Sequence, residues 1–345
     1  MNAIPTTAIG SWPIPFGQRA TLKRFYAGDL NEATAYDTLV QAARIAMDEQ
    51  LACGLTQIAG GEVFAPDFVH HVPPRLEGLK AFALRDTRRG YQGLARYVRD
   101  GPLGAPRGTG HAAAFRREHS LEPRLGKASI PSPYTVTLRF DATEEPAHSR
   151  DELTAIVAAE IHEMVSAGAS EIQVDAPSEA LTVIARDASG KAALAHAREL
   201  ADWIAAPFVN VGAHVCPSVH LCLGDISRKP ATENQNLRLL LPLMQALEGR
   251  IDRVLIECSY FSQWREHALL ADLPAGFEVV AGISDVKSPP QSVDELKRKI
   301  EALAPLLGER LLLSTSCRCG RMPHDEAIRL NRNLVKASAE IGNAT

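Results

Sequence analysis

The sequence lacks any long apolar run: no stretch of about 18 apolar residues occurs among its 345 residues, so we expect no membrane-spanning helix. Its six cysteines are too few for a disulfide scaffold in a chain of this length. The segment Met1 to Trp12 has no basic region followed by an apolar run, which predicts no secretory signal. We therefore expect a reduced, cytoplasmic protein with no membrane partner.

A strong excess of charge is also missing. The 37 basic and 41 acidic residues leave a net charge of −4, which gives no argument for a nucleic-acid partner or an anionic membrane surface. Hydrophobic residues make up 46% and charged residues 23% of the chain, values that exclude a disordered or fibrous protein. The length fits about two domains, or a single α/β barrel of about 250 residues or more.

Helical and extended patterns alternate along the chain. Apolar residues at helical spacing predict a helix over Asn31–Ala52, which Gly54 would end, and the short apolar segment Leu55–Gly61 predicts a strand. The same pair recurs as a helix over Asp151–Ala167 and a strand over Glu171–Asp175. This alternation favours parallel strands joined by helical crossovers.

Continuing in this way gives about eight strands, which predicts an α/β protein with a (βα)8 TIM barrel over residues 1–345. A doubly wound open sheet is the alternative, but no G-x-G-x-x-G motif follows the first strand. The predicted strands are Thr6–Gly10, Leu55–Gly61, Ala128–Ile130, Glu171–Asp175, Phe208–Cys222, Arg253–Cys258, Phe277–Val286 and Leu311–Ser316.

The region Leu79–Lys127 interrupts the alternation. It is rich in glycine and proline and carries six arginines between Arg85 and Arg107. We interpret it as an extended excursion between the second and third strands, an inserted arm of the single barrel domain that could serve as an interface. Only Tyr91 and Tyr97 interleave with the arginines, so a solvated surface is favoured over a nucleic-acid site.

Reactive side chains follow the predicted strands at their carboxyl ends, where parallel barrels build their active sites. Strand interiors here are apolar, so a chance accumulation of reactive groups at one face is improbable. The candidate residues are Ser11, Glu62, Asp175, His220, Cys222, Glu257, Asp285, Lys287 and Cys317.

Four of these candidates have the chemistry of a zinc site. On an extended segment His220 and Cys222 point to the same side, so both can reach one ion. Glu257 and Cys317 could complete a tetrahedral shell of nitrogen, sulfur and oxygen ligands, which suits zinc. Taken alone, an H-x-C pair is a weak motif, because a buried histidine and a small buried cysteine explain it as well.

Two alternatives compete with these ligands. A second H-x-C pair, His214-Val-Cys216, lies six residues upstream of His220. Near the eighth strand, Cys317-Arg-Cys319 offers two thiols in one turn. The residues alone leave both choices open.

The order and spacing of these segments resemble the C-terminal catalytic barrel of cobalamin-independent methionine synthases, in their short single-domain relatives. The resemblance runs from end to end of the chain. Its segments are Ala8-Ile-Gly-Ser-Trp-Pro13, Gly54-Leu-Thr-Gln-Ile-Ala-Gly-Gly-Glu62 with Asp67-Phe68, Ile172-Gln-Val-Asp-Ala-Pro177, His220-Leu-Cys-Leu-Gly-Asp225, Leu255-Ile-Glu257, Asp285-Val-Lys-Ser-Pro289 and Glu309-Arg-Leu-Leu-Leu-Ser-Thr-Ser-Cys317.

The resemblance implies a ligand set for zinc. Its histidine and first cysteine correspond to His220 and Cys222, because the following Leu-Gly-Asp matches the family, and its glutamate corresponds to Glu257. The second cysteine is either Cys317 or Cys319. Counting from the start of the last matched segment selects Cys317, whereas the family's glycine directly after the cysteine favours Cys319.

The resemblance also implies the substrate residues. Ser11, Glu62 and Asp175 correspond to the residues that bind the amine and carboxylate of homocysteine. The segment that begins at Asp285 carries Lys287 where the family has a histidine, so these two residues are the catalytic candidates. The family's Asp-Glu-Pro appears as Asp-Ala-Pro, and its folate-stacking segment as Pro-Ser-Pro-Tyr-Thr.

The expected function is therefore zinc-dependent methylation of a thiol, with homocysteine converted to methionine. Thiols have a pKa of about 8.5, and coordination to zinc converts them to the nucleophilic thiolate. The donor could be a methyl-folate, or a methyl-corrinoid that is free or bound to a partner protein. Because the folate segment is altered and the family's N-terminal half is missing, we expect poor use of polyglutamylated methyl-folate.

Two alternatives stay open at this point. One is another alkyl-thiol reaction on the same zinc barrel, such as a coenzyme-M-type transferase or lyase. The other is a non-catalytic zinc-bound protein that binds a partner through its arginine-rich arm.

Overall fold

Seven parallel strands form one curled sheet in the computed structural model, which describes residues 3–65, 69–85, 94–141, 143–185, 191–225 and 228–343. The sheet order is β1-β9-β8-β7-β6-β5-β4, and β2 and β3 pair separately as an antiparallel hairpin. The strands are β1 (Thr6–Thr7), β2 (Glu77–Arg85), β3 (Leu94–Gly104), β4 (Lys127–Pro131), β5 (Glu171–Asp175), β6 (Cys216–Leu221), β7 (Arg253–Glu257), β8 (Glu278–Ser284) and β9 (Leu311–Thr315).

Helices connect successive strands of this sheet, as parallel pairing requires. None of the helices in the described ranges has the length and apolar character needed to cross a bilayer. The α-helices are α1 (Arg19–Tyr26), α2 (Glu32–Cys53), α3 (His111–Leu121), α4 (Pro133–Val136), α5 (Arg150–Ser166), α6 (Pro177–Ala185), α7 (Lys191–Ala205), α8 (Leu241–Ala246), α9 (Phe261–Arg265), α10 (Val293–Leu307) and α11 (His324–Asn343).

Local signals explain why α2 begins and ends where it does. The Asn31 side chain caps the helix by accepting a 2.8 Å hydrogen bond from the backbone N–H of Thr34. Gly54 ends it in the left-handed conformation, with φ of 86°, which costs glycine little. The predicted helix over Asn31–Ala52 and its glycine stop are thus confirmed within one residue.

The described residues form an α/β fold with seven curled parallel strands, one fewer than the eight strands of the predicted barrel. The predicted second strand, Leu55–Gly61, is not a regular strand and makes only isolated parallel bridges, from Gln57 to Thr7 and from Gly61 to Ser11. The reason lies in the backbone, because Gly61 and Glu62 adopt positive φ values of 82° and 56°, which interrupt an extended segment.

Three other predicted elements differ from the structure. Apolar residues at helical spacing also predict a helix over Asn234–Glu248, but this segment forms a 3-10 helix over Leu237–Leu239 and the short helix α8, because Pro242 lacks a backbone N–H and fits only at a helix start. The excursion predicted over Leu79–Lys127 is more regular than expected, since it holds most of the β2–β3 hairpin and helix α3. The strand predicted over Phe208–Cys222 begins only at Cys216.

Charged side chains fill the amino end of the sheet. Arg253 of β7 contacts Glu171 of β5 and lies 2.6 Å from a carboxylate oxygen of Glu278. The buried Nζ of Lys127 lies 3.8 Å from Glu171 and donates a 3.0 Å hydrogen bond to the carbonyl of Ala8. Burial alone would raise the pKa of Glu171, but the two cations hold it below its usual value. This ion cluster stabilises the end of the sheet opposite the cavity described next.

Candidate metal centre

Three potential metal ligands meet at the carboxyl end of the sheet. His220 lies near the end of β6, Cys222 follows that strand, and Cys317 follows β9. One ligand atom from each lies within 4.8 Å of the others, and the two sulfur atoms are 3.8 Å apart. Leu221 between the first two packs in the main core, as the alternation of an extended segment requires. All three ligand side chains are buried.

The imidazole of His220 is oriented by Asp175, the last residue of β5. Its Nδ1 donates a 2.8 Å hydrogen bond to Oδ1 of Asp175, which also accepts a 2.7 Å bond from Gln173. Its Nε2 is buried and has no hydrogen-bond partner among the described residues. Metal-binding histidines are held in this way, with one nitrogen on a carboxylate and the other left for the ion.

The pKa values of the two thiols shift in opposite directions. The hydrogen bond from the Cys222 thiol lowers the pKa of Cys317, although burial opposes this, and the nearby His220 and Lys287 lower it further. The same hydrogen bond, together with burial, raises the pKa of Cys222. Burial lowers the pKa of His220, but the hydrogen bond to Asp175 and the charge of Cys317 outweigh it and raise that pKa to about 9. A thiolate is thus favoured beside a second thiol, and two soft sulfur donors with one imidazole suit zinc.

Glu257 lies next to this group but does not join its three ligand atoms among the described residues. Its Oε1 accepts a hydrogen bond from the ammonium of Lys287, and its Oε2 accepts a 3.0 Å bond from the backbone N–H of Leu223. Both side chains of the pair are almost completely buried, with 3% of Lys287 and 1% of Glu257 exposed. The predicted fourth ligand is therefore held by the predicted catalytic lysine.

A cavity of about 330 Å³ opens above these residues. Among the predicted residues, it is lined by Glu62, Asp175, His220, Cys222 and Cys317. Fourteen further lining residues come from the loops that follow the strands, from helix α6 and from the β2–β3 hairpin, namely Ile9, Gly10, Val69, His70, Arg96, Leu138, Arg139, Pro177, Ser178, Leu181, Gly224, Asp225, Ala231 and Arg318.

The remaining predicted residues lie beside the cavity lining. Ser11 pairs through its backbone with Gly61, next to Glu62. Asp285 accepts a 2.9 Å hydrogen bond from the backbone N–H of Lys287 and a 2.6 Å bond from the hydroxyl of Ser288. Asp285 therefore shapes the turn that carries Lys287. Asp67 and Phe68, which contributed to the family resemblance, lie outside the described residues.

The two alternative cysteine ligands, Cys216 and Cys319, have surroundings that differ from those of the three grouped residues. Cys216 begins β6 and pairs in register with Glu171, so it lies at the amino end of the strand whose other end carries His220. The sulfur of Cys319 lies 3.9 Å from the hydroxyl of Thr315 and accepts a 3.6 Å contact from the amide of Asn331. Neither cysteine belongs to the group of three ligand atoms.

Sequence reasoning missed the arginines of the cavity wall. Arg96 of the hairpin donates a 2.8 Å hydrogen bond to the carbonyl of Phe140, and Arg139 reaches back to the carbonyl of Ala95. These contacts join segments 44 residues apart. The alternating residue pattern of β2 and β3 could have indicated a hairpin that carries these arginines. The glycines and prolines of the arm obscured that pattern. Tyr134, considered for stacking on a folate, packs against Trp203 at 5.5 Å instead.

A parallel α/β sheet that brings one imidazole and two thiols together at its carboxyl ends, under a cavity, defines a class of α/β proteins with a sulfur-rich centre that could hold a metal ion. The family model described as the catalytic domain of cobalamin-independent synthase matches residues 4–340. The chain belongs to this family.

Individual relatives agree with that assignment. A 5-methyltetrahydropteroyltriglutamate–homocysteine methyltransferase of Shewanella oneidensis is 26% identical over 98% of this chain, but the chain spans only 43% of its length. A methionine synthase of Sulfolobus acidocaldarius is 23% identical over 98% of this chain and 92% of the relative. The solved B12-independent methionine synthase of Shewanella sp. W3-18-1 superposes with a TM-score of 0.76 at 18% identity, covering 99% of this chain and 98% of that one.

Proposed function

We propose that the protein is a zinc-dependent methyltransferase that methylates the thiol of homocysteine to give methionine. The observation that carries this proposal is the buried group of His220, Cys222 and Cys317 beneath a cavity of about 330 Å³. The names of the relatives support the same reaction, since two of them are a homocysteine methyltransferase and a methionine synthase.

The three ligands fit zinc in number and type. The buried Nε2 of His220 has no hydrogen-bond partner in the described part of the chain, and two sulfur atoms 3.8 Å apart lie close to it. Bound there, zinc would stabilise the thiolate form of the acceptor at neutral pH while its sulfur remains nucleophilic. Asp175 would fix the tautomer and direction of the imidazole.

The cavity offers groups that match an amino-acid thiol. Glu62 and Asp175 line it and suit the substrate ammonium, because charge-assisted hydrogen bonds to carboxylates are strong and directional. Arg318 lies 3.7 Å from Glu62 and suits the substrate carboxylate, with Ser11 close by. Asp285 would act as a positioning residue for Lys287, the cation beside the thiols.

The outer wall of the cavity favours a donor with an anionic group. Arg96 and Arg139 line it together with the apolar side chains of Val69, Leu138 and Leu181. An apolar wall with two guanidinium groups suits a flat or bulky body that carries a carboxylate or a phosphate. A methyl-folate carries carboxylates and a methyl-corrinoid carries a phosphate, so either donor has this chemistry.

We also infer that the catalytic unit is a closed (βα)8 barrel formed by residues 1–345 as one domain, with 79–127 as its inserted arm. Segment 55–61 would take the place of the second strand, since it bridges to Thr7 of β1 and to Ser11, which follows that strand. Lys127 of the opposite edge strand, β4, donates hydrogen bonds to the hydroxyl of Thr7 and the carbonyl of Ala8. These contacts support closure between the two edges of the sheet.

The test is metal analysis of the purified chain, followed by methionine formation from homocysteine with methyl-folate or methylcobalamin as donor. We expect about one zinc per chain and methionine with at least one donor. The poor use of polyglutamylated methyl-folate stays a prediction of the sequence. Parallel assays with monoglutamyl and triglutamyl methyl-folate, which compare the rates of methionine formation, test it. A zinc-free chain that forms no methionine with either donor contradicts the proposal.

A further inference from the structure

A second cavity, of about 40 Å³, adjoins the first and shares Gly10 and Glu62 with it. Helix α3 supplies Glu118 to the lining of this smaller cavity, and β4 supplies Lys127. Two carboxyl groups thus face one small space, and one of them, that of Glu62, also faces the proposed substrate site.

The carboxyl group of Glu118 is buried against the backbone that carries Glu62. A Cβ atom on Gly60 would lie 1.8 Å from its Oε2, so a side chain at position 60 would displace the carboxyl group. The backbone N–H of Phe64 donates a hydrogen bond to the same group. Its Oε1 has no hydrogen-bond partner among the described residues, and Glu118 is only 7% exposed.

Segment 60–64, which Glu118 contacts, holds Glu62 in an unusual conformation. Glu62 has a φ of 56°, in the left-handed region that residues other than glycine rarely adopt. The hydroxyl of Tyr26 donates a 2.9 Å hydrogen bond to the carbonyl of Val63 and fixes the segment from helix α1. Glu118 fixes it from helix α3, so both helices help to aim the Glu62 side chain.

The two carboxyl groups have different electrostatic surroundings. Arg318, which lines the larger cavity, lies 3.7 Å from Glu62. Glu118 has no such cation beside it in the described part of the chain, and its burial, together with the negative charge of Glu62, raises its pKa to about 8. Ionisation of one carboxyl group opposes ionisation of the other. At neutral pH Glu118 therefore keeps a proton.

The other titratable groups that face Glu118 or lie on the elements packed against α3 have partners of their own. They are Lys127 with Glu171, His111 with Thr109, Tyr26 with Val63, Glu32 of α2 with Arg117, and Glu163 of α5 with Arg116. The charge at Glu62 is therefore the neighbouring charge that substrate binding changes.

Resting on the proposed binding of the substrate ammonium at Glu62, we propose that Glu118 is a positioning residue that supports Glu62 and releases its proton to solvent when the ammonium binds. The ammonium brings a positive charge to the pair, which favours the ionised form of both carboxyl groups. The O–H bond of Glu118 breaks, the proton goes to the buffer, and no other bond changes.

Methionine is the probe for this coupling, because it carries an ammonium and a carboxylate but no thiol that could lose a proton. Isothermal titration of the zinc-loaded protein, in buffers with different ionisation enthalpies, counts the protons released. A decrease of one unit in the pKa of Glu118 corresponds to about 0.4 proton per methionine at pH 7. We expect this release in the wild type and its loss in Glu118→Gln, whose amide oxygen still accepts from Phe64 but cannot ionise.

Glu160→Gln is the matched control. Glu160 is also buried, and its two oxygens accept hydrogen bonds of 2.8 and 2.7 Å from the backbone N–H groups of Thr109 and Ala112. It is not among the lining residues described for either cavity. We expect Glu160→Gln to release as many protons on methionine binding as the wild type.

The same coupling gives a pH dependence that a purely structural role does not. The free protein holds the proton at low pH and must lose it when the ammonium binds, so affinity rises with pH. Relative to Glu118→Gln, the methionine dissociation constant of the wild type should fall by about fivefold from pH 6 to pH 8. A structural role alone would change the constant of the variant by the same factor at every pH.

A measurement on the wild type covers the case in which Glu118→Gln does not fold. The infrared carbonyl band of a protonated, buried carboxyl group should lose intensity when methionine is added at pH 7. A band that stays unchanged would overturn the inference, whatever the variant does.

The outcomes separate this inference from the proposed function. Equal proton release by the wild type and by folded Glu118→Gln overturns the inference, and leaves the zinc centre and methionine formation as they are. A zinc-loaded chain that binds no methionine contradicts the proposed substrate site itself, and the inference fails with it.

Discussion

Nδ1 of His220 and Oδ1 of Asp175 are 2.8 Å apart because their strands are neighbours in register. The parallel pairing of β5 with β6 places these two residues directly opposite each other at the carboxyl end of the sheet. Asp175 also lines the cavity. One carboxylate can therefore orient a metal ligand and face the substrate.

This double position leads to the first prediction, for Asp175→Asn. The charge that holds His220 is lost, so zinc affinity should fall by about ten- to a hundredfold. The apparent dissociation constant for homocysteine should rise by about tenfold or more, since hydrogen bonds to charged groups contribute about 1.5–3 kcal/mol. Chelator competition and isothermal titration measure the two effects, with the surface variant Asp202→Asn as control. Unchanged values for both would remove Asp175 from the site.

The two H-x-C pairs at the two ends of β6 give the second prediction. Cys222→Ser should lose zinc on purification, whereas Cys216→Ser should retain about one zinc per chain, because Cys216 lies at the other end of the strand. Elemental analysis of both proteins, after the same dialysis, provides the comparison. Loss of zinc from Cys216→Ser alone would require the centre to be rebuilt around His214.

The adjacent thiols after β9 form a second matched pair. Cys317→Ser should abolish zinc retention, since its sulfur lies 3.8 Å from that of Cys222. Cys319→Ser should keep the zinc, because its sulfur contacts Thr315 and Asn331 instead. The same elemental analysis decides between them, and the opposite pattern would make Cys319 the ligand.

The fourth prediction concerns stability and pH. Burial, followed by the negative charge of Glu62, raises the pKa of Glu118 from 4.5 to about 8. Between these values the folded state binds a proton that the unfolded state has lost, so this group's contribution to stability decreases by about 1.4 kcal/mol per pH unit. Its stabilisation is complete below pH 4.5 and is lost as the pH rises through 8.

Glu118→Gln removes this titration while it keeps the shape of the side chain. The free energy of unfolding of the wild type, relative to the variant, should therefore fall steadily from pH 5 to pH 8. Urea unfolding at several pH values measures the difference directly. A difference that stays constant over this range would mean that Glu118 is already ionised in the folded protein.

The sequence predicts the elements whose signals are local. The strand Glu171–Asp175 has the predicted bounds, because a buried apolar run specifies it. Apolar residues at helical spacing likewise predict a helix over Val293–Leu307, and α10 has these bounds, with a capping box at Ser292 as its start signal. His220, Cys222 and Cys317 lie at or just after the carboxyl ends of parallel strands, and these ends meet at one edge of the sheet. This part of the site could therefore be predicted from the strand positions.

Other parts of the site depend on contacts that no local pattern contains. The hydrogen bond from Arg96 to Phe140 joins residues 44 apart and places the arm on the cavity wall. The pairing of Lys287 with Glu257 spans 30 residues and depends on the curvature of the sheet. The residue type at a strand end therefore does not predict whether the side chain faces the candidate metal centre or pairs with a neighbouring side chain.

The ion cluster at the amino end of the sheet also has a kinetic consequence. Lys127, Glu171 and Arg253 fill that end, so we expect reactants to enter and leave by the carboxyl end. Arg96 and Arg139 line the same cavity as Cys222 and Cys317, so we expect a donor seated against the two arginines to cover an acceptor thiol bound at the cysteines. We therefore expect an ordered sequence in steady-state kinetics, in which the acceptor binds first and methionine leaves only after the spent donor has dissociated.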